Sequence, residues 1–189
     1  MLNINKLQKY KHMKNLVLIR HSKAEDKSSN DFERKLTYEG KKLAKKVVLM
    51  LPDVPDNDAI FITSPALRSF ETSKIFADFF SFPLEKISTS NFLYKYFTVE
   101  QFFIFIENEY KNYDKLWIFG HNPMLTEIVS FLSNNKFFSM PKCAVASFEI
   151  NSENWIKTSY KNTELKFFIN PKESKLNFHD LSNTKGYEN

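Results

Sequence analysis

Cysteine is almost missing: Cys143 stands alone in 189 residues, which excludes an internal disulfide and a thiolate metal cluster. Three glycines and seven prolines exclude collagen-like and low-complexity architectures. Long apolar runs are missing too. The longest, Val47–Leu51 and Phe102–Ile106, are five residues, whereas a membrane-spanning helix needs roughly 18 or more. Leu16–Ile19 is too short for the apolar segment of a secretory signal and runs straight into Arg20-His21. A chain without span, signal or disulfide is expected in the cytoplasm. Acidic residues are absent from the first 14 positions, which hold Lys6, Lys9, Lys11 and Lys14, so most of the net charge of +5 lies there. The rest is close to neutral and lacks the basic footprint of a nucleic-acid-binding surface.

What is present in quantity is apolar side chain: 42% of residues are hydrophobic and 16% aromatic, enough for a full core. Phe76, Phe79, Phe102 and Phe105 recur at helical spacing and read as core rather than as a base-stacking surface. Cys143 reads as a small core residue, and Phe137-Phe138, in a polar loop, as an exposed apolar contact. Residues 1–13 are expected to form a poorly ordered basic leader, 14–170 one domain, and 171–189 a polar tail. Met13 directly precedes the first strand pattern, which marks residues 1–12 as a candidate extension ahead of a natural start.

Strand and helix patterns alternate along the domain. Asn15–Ile19 is a buried-strand run. Thr37 then caps a helix whose apolar stripe is Leu43, Ala44, Val47, Val48 and Leu51, ended by Pro52. Asp58–Thr63 is a second strand, and Ser64-Pro65 reads as cap and first position of a helix presenting Leu67, Phe70, Ile75, Phe76 and Phe79. A short strand near Lys86–Thr89, a helix over Thr98–Tyr110 and a strand over Lys115–Phe119 follow. Asn122-Pro123 repeats the cap pattern before a helix burying Leu125, Ile128, Val129 and Leu132. Ala144–Ile150, Trp155–Tyr160 and Glu164–Ile169 read as strands. This alternation predicts an α/β three-layer sandwich, a mostly parallel central sheet flanked by helices.

In such sheets ligands bind beyond the carboxyl ends of the strands. Three predicted strands end in Arg20-His21, in Ser64-Pro65-Ala66-Leu67-Arg68 and in Gly120-His121-Asn122-Pro123. Of four histidines, His12 and His179 lie in leader and tail, so both histidines of the domain sit at strand ends. Two Arg and two His, if they converge, make a cationic pocket for a tetrahedral dianion. Histidine near neutrality serves as nucleophile or proton donor. Arg68, in the first turn of a helix, opposes the helix dipole, a placement that a bound anion would offset. Taken singly, each has a plainer explanation as a surface turn residue; three such strand ends in one chain favour the site.

Leu18–Glu25, Asp31–Thr37, Ser64–Thr72 and Gly120–Pro123, in this order, resemble the histidine phosphatase (phosphoglycerate mutase-like) superfamily, most of all its small SixA-like phosphohistidine phosphatase branch. The resemblance runs from about Lys14 to Ile150. It implies that His21 takes the phosphoryl group and passes it to water, that Arg20, Arg68 and His121 hold the phosphoryl oxygens, and that Arg34 is a further pocket arginine. No metal and no organic cofactor is expected, since the domain has two histidines and no cluster of carboxylates beside them. Ser22 departs from the superfamily's Arg-His-Gly triplet and puts the closeness of that backbone to the phosphate in question.

Ser90–Tyr94, where larger relatives often place a catalytic carboxylate, has none, and Glu25 and Asp26 read as solvated loop acids. Imidazole is a good leaving group, its conjugate acid having a pKa near ~6.5, while an alkoxide is far more basic. The missing acid therefore favours protein phosphohistidine as substrate. A small-molecule phosphomonoesterase of the same superfamily is the alternative, ahead of a non-catalytic phosphate-binding module, which would not need both histidines. The partners expected are a phosphorylated protein or a small phosphate, with no nucleic acid and no membrane.

Overall fold

The computed structural model describes residues 13–26, 28, 30–52, 55, 58–134 and 139–172. The leader as far as His12, the tail beyond Lys172, and the Phe137-Phe138 pair lie outside them. Among the described residues, six strands form one sheet in the order β3-β2-β4-β1-β5-β6, with β1 Met13–Arg20, β2 Ala59–Thr63, β3 Ile87–Thr89, β4 Lys115–Gly120, β5 Val145–Asn151 and β6 Thr163–Ile169. β3, β2, β4 and β1 run parallel; β5 runs against them, and β6, antiparallel to β5, runs in their direction again. Among the described residues, four helices cover the sheet: α1 Tyr38–Val48, α2 Leu67–Phe80, α3 Val99–Tyr110 and α4 Met124–Leu132.

Alternation along β1 builds two cores. Leu16 and Leu18 pack with Phe102 and Ile106 of α3 and with Leu125 and Ile128 of α4. Val17 and Ile19 point to the opposite face and meet Ala44 and Val47 of α1 and Phe76 and Ala77 of α2. Burial on both faces is why the central strands are continuous apolar runs rather than alternating ones. The expected three-layer sandwich with a mostly parallel sheet is the observed architecture.

The structure corrects four local readings. Trp155–Tyr160 is not a strand; it forms two short 3-10 turns, Trp155–Lys157 and Tyr160–Asn162. Trp155 is a fully buried plug there, its indole Nε1 donating to Tyr113 O at 3.2 Å and its backbone N–H to the Glu107 carboxylate at 2.7 Å. Helix α2 begins at Leu67 behind Ala66, not at Pro65, and α4 begins at Met124, not at Pro123. The side chains read as caps are engaged elsewhere. Ser64 Oγ lies 2.8 Å from His121 Nε2, and Asn122 Nδ2 donates to Met140 O at 3.0 Å. The buried face of α2 also differs. It is Arg68, Ser69, Thr72, Ser73, Phe76 and Ala77, and Phe79 is 48% exposed. The hydroxyl residues of that face hydrogen-bond to the rim, Thr72 Oγ1 accepting from Ser22 N–H and Ser69 Oγ from Thr63 Oγ1, each at 3.1 Å, which Leu67 and Phe70 could not do.

Candidate active site

The parallel strands β1, β2 and β4 end together, with Arg20 paired to Gly120 and Thr63 to Phe119 in register. The loops that leave them therefore open on one rim. Antiparallel β5 enters the sheet at that same rim, with Val145 beside Ile19, so the turn before it, Met140 to Ala144, joins the site. The structure brings Arg20, His21, Arg68 and His121 into this one place. The His21 and His121 rings are 5.0 Å apart between centroids, tilted by 55°. All but Arg20 are buried.

His21 is held in a defined tautomer. Its Nδ1 lies 2.8 Å from Ser22 O; a carbonyl only accepts, so Nδ1 carries the proton and Nε2 keeps its lone pair. Backbone hydrogen bonds from His21 N to Gly120 O (3.0 Å) and from Cys143 N to His21 O (3.2 Å) fix the residue between β4 and the β5 turn. Burial pushes the imidazole down to about 2, aided by the charges of Lys142, His121 and Arg68. His121 is pushed down to about 3, chiefly by burial and then by Arg68. Both rings are neutral at physiological pH.

Ser22 does not crowd the pocket. Its Oγ donates to Gly40 O at 2.7 Å and its N–H donates to Thr72 Oγ1 at 3.1 Å, so the residue ties the His21 loop to α1 and α2. Arg68 Nη1 donates to Asp31 O at 2.6 Å and Nη2 to Asp31 Oδ2 at 2.9 Å. Arg34 Nη1 reaches the other oxygen of that carboxylate at 2.9 Å, and Tyr94 Oη donates to Oδ2 at 3.1 Å. Arg34 thus joins the cluster through Asp31 and not through the histidines. Burial alone would raise the Asp31 carboxyl, but hydrogen bonds from Arg34 and Arg68, with the Arg68 charge, bring it to about 2. Arg20 Nη1 donates to Met140 O at 2.7 Å.

Among the described residues, four buried side-chain polar atoms have no hydrogen-bond partner, and three are here: Arg20 Nε, His121 Nδ1 and Asn122 Oδ1. An anion at this rim would satisfy the first two. Among the described residues, no group of three or more His, Cys, Asp or Glu is placed to hold a metal ion, and no helix is long and apolar enough to cross a membrane.

Two site residues escaped the sequence reading. Asp31 was visible as part of a motif, but nothing in the sequence ties it to Arg68, 37 residues away. Lys142, whose Nζ lies 3.4 Å from His21 Nε2, precedes a strand; the rule about carboxyl ends of parallel strands passes it over, because only the antiparallel direction of β5 brings that turn to the rim.

No family model matches the sequence, and no curated protein does. Solved structures do share its fold, which is that of the histidine phosphatases. The protein histidine phosphatase SixA, solved with tungstate, superposes with a TM-score of 0.67 at 17% identity, over 83% of this chain and 97% of that one. A SixA protein from Agrobacterium tumefaciens gives 0.66 at 18% identity, over 84% and 98%. Mycobacterial glucosyl-3-phosphoglycerate phosphatase gives 0.58 at 8% identity, over 82% and 98%.

Proposed function

We propose that this chain is a phosphatase in which His21 Nε2 is the nucleophile and that its substrate is phosphohistidine on a protein. The observation that carries the reading is the locked tautomer: Nδ1–H bonded to Ser22 O leaves the lone pair on Nε2, in a ring 5.0 Å from that of His121 and under the charge of Arg68. Phosphoryl transfer asks mainly for positioning and charge neutralisation, which these side chains supply. Nε2 attacks phosphorus while the bond from phosphorus to the leaving nitrogen breaks, its electron pair staying on the departing imidazole. The positive charge that develops on the His21 ring is met by Ser22 O. Water then attacks phosphoryl-His21, the Nε2–P bond returns its pair to Nε2, and the water protons leave with phosphate and solvent.

The choice of substrate rests on Asp31. It is the carboxylate bonded into the cationic cluster, and with its carboxyl near 2 it stays ionised and has no proton to give an alkoxide. A phosphohistidine protonated on its remote ring nitrogen leaves as neutral imidazole and needs none. The test is rapid quench with radiolabelled phosphohistidine protein. Acid-labile, base-stable label should appear on the wild type and be lost, with turnover, in His21→Ala. Turnover of His21→Ala at the parental rate would refute the nucleophile. Equal kcat/KM on alkyl phosphates and phosphohistidine would refute the substrate class.

A further inference from the structure

We propose that Lys142 is a further catalytic residue of this site, its ammonium lying on His21 Nε2 when the pocket is free and moving onto an oxygen of the phosphoryl group during transfer. This rests on the phosphohistidine reading above. Lys142 Nζ is 3.4 Å from Nε2, the atom that must bond to phosphorus, so a phosphoryl group arriving there places an oxygen within reach of the same ammonium. Resting on the lone pair, the charge also opposes protonation of the nucleophile, and it is the second cause, after burial, of the low His21 value.

The turn that presents Lys142 is built around the site. Met140 O accepts from both Arg20 Nη1 and Asn122 Nδ2, and Met140 N donates to Thr126 Oγ1. Cys143 N donates to His21 O, and Ala144 N to Pro141 O. Cys143 is buried in a left-handed conformation, φ 62°, which a residue with a Cβ adopts at a cost. The cost is tolerated because surrounding bonds over-determine the turn.

The charges around Lys142 fit an anion-binding role and no structural one. Arg20 at the end of β1, Arg34 in the following loop and Arg68 of α2 all act on it as like charges, and Asp26 is the acid that opposes them. Lys142 also lines a hollow of about 390 Å³ together with Lys23, Arg34, Lys172 and Asp26. No carboxylate of the described residues forms an ion pair with it. A half-buried ammonium amid three guanidinium groups is costly unless a dianion joins them. Burial, then the arginines, lower it to about 8, so it remains mostly charged at neutral pH and releases its proton just above.

The experiment compares wild type, Lys142→Met and Lys142→Arg, with His21→Ala as control, measuring kcat/KM for phosphoramidate and for phosphohistidine protein from pH 6 to 10. Lys142→Met should lose about 10–100-fold, the worth of one charge-assisted hydrogen bond. Wild type should decline above a pH near 8, and Lys142→Arg should carry activity through that range. Lys142→Met within twofold of wild type would overturn the proposal. So would a Lys142→Arg profile that declines as the wild type does, a result that stands even if the Met variant fails to fold. Loss of turnover in His21→Ala with a neutral Lys142→Met sinks the lysine alone; turnover surviving in His21→Ala sinks the phosphatase reading beneath it.

Discussion

Arg68 illustrates what a single residue contributes to this site. Its two Nη groups already grip Asp31, one on the backbone carbonyl and one on the carboxylate, so its fork is oriented before any ligand arrives. A lysine keeps the charge but has no planar fork. Arg68→Lys is expected to lower kcat/KM about 10–100-fold, the worth of one charge-assisted hydrogen bond, with kcat falling more than KM rises. Steady-state kinetics beside a thermal melt would separate this from unfolding; a variant within twofold would mean that charge alone suffices at this position. The positions of Arg20, His21, Arg68 and His121 at strand ends could be read from the chain, because each follows an apolar run closely. Asp31 and Lys142 could not, since each earns its place through a partner far away in sequence.

At the scale of elements, the loop carrying His21 depends on how closely α1 approaches it. Thr37 N–H donates to Lys23 O at 3.0 Å, Ser22 Oγ donates to Gly40 O at 2.7 Å, and a Cβ on Gly40 would stand 1.9 Å from Lys23 O. Only glycine allows that contact. Gly40→Ala should therefore cost about 1–3 kcal/mol as an overpacked site, read from urea unfolding. It should also lower activity in the folded protein, because the loop that carries His21 must shift. Parental stability together with parental kcat would show that the helix can back away freely. The same scale explains the misread helix starts. Ser64 and Asn122 have the residue types of N-caps, and sequence statistics assign them so; in the fold their side chains serve His121 and Met140 instead.

For the whole molecule, burying two neutral histidines couples stability to acidity. His21 and His121 stand at about 2 and about 3 in the folded chain, against roughly 6.5 when unfolded. Below that unfolded value the denatured chain binds protons that the native one refuses, so stability is full above pH ~6.5 and falls as the pH drops. Each histidine contributes up to about 1.4 kcal/mol per pH unit in that window. Asp31 adds to the same trend at lower pH, since its carboxyl is held below the ordinary range. Urea midpoints at pH 7 and pH 5 should show the fall, and His121→Asn, which cannot titrate, should show a shallower one. Equal slopes for the two proteins would mean that His121 is solvated after all.

The sequence by itself determined the layered α/β fold and the four strand-end side chains, because apolar periodicity and strand-to-helix order are local properties that burial on both sheet faces makes legible. It also placed Cys143 in the core. Tertiary structure alone decided which nitrogen of His21 keeps its lone pair, that an ionised Asp31 and a crowded Lys142 join the rim, and that Trp155 plugs the edge where a strand was expected. These depend on the direction of β5 and on contacts between residues distant along the chain, and a one-dimensional pattern holds no record of either.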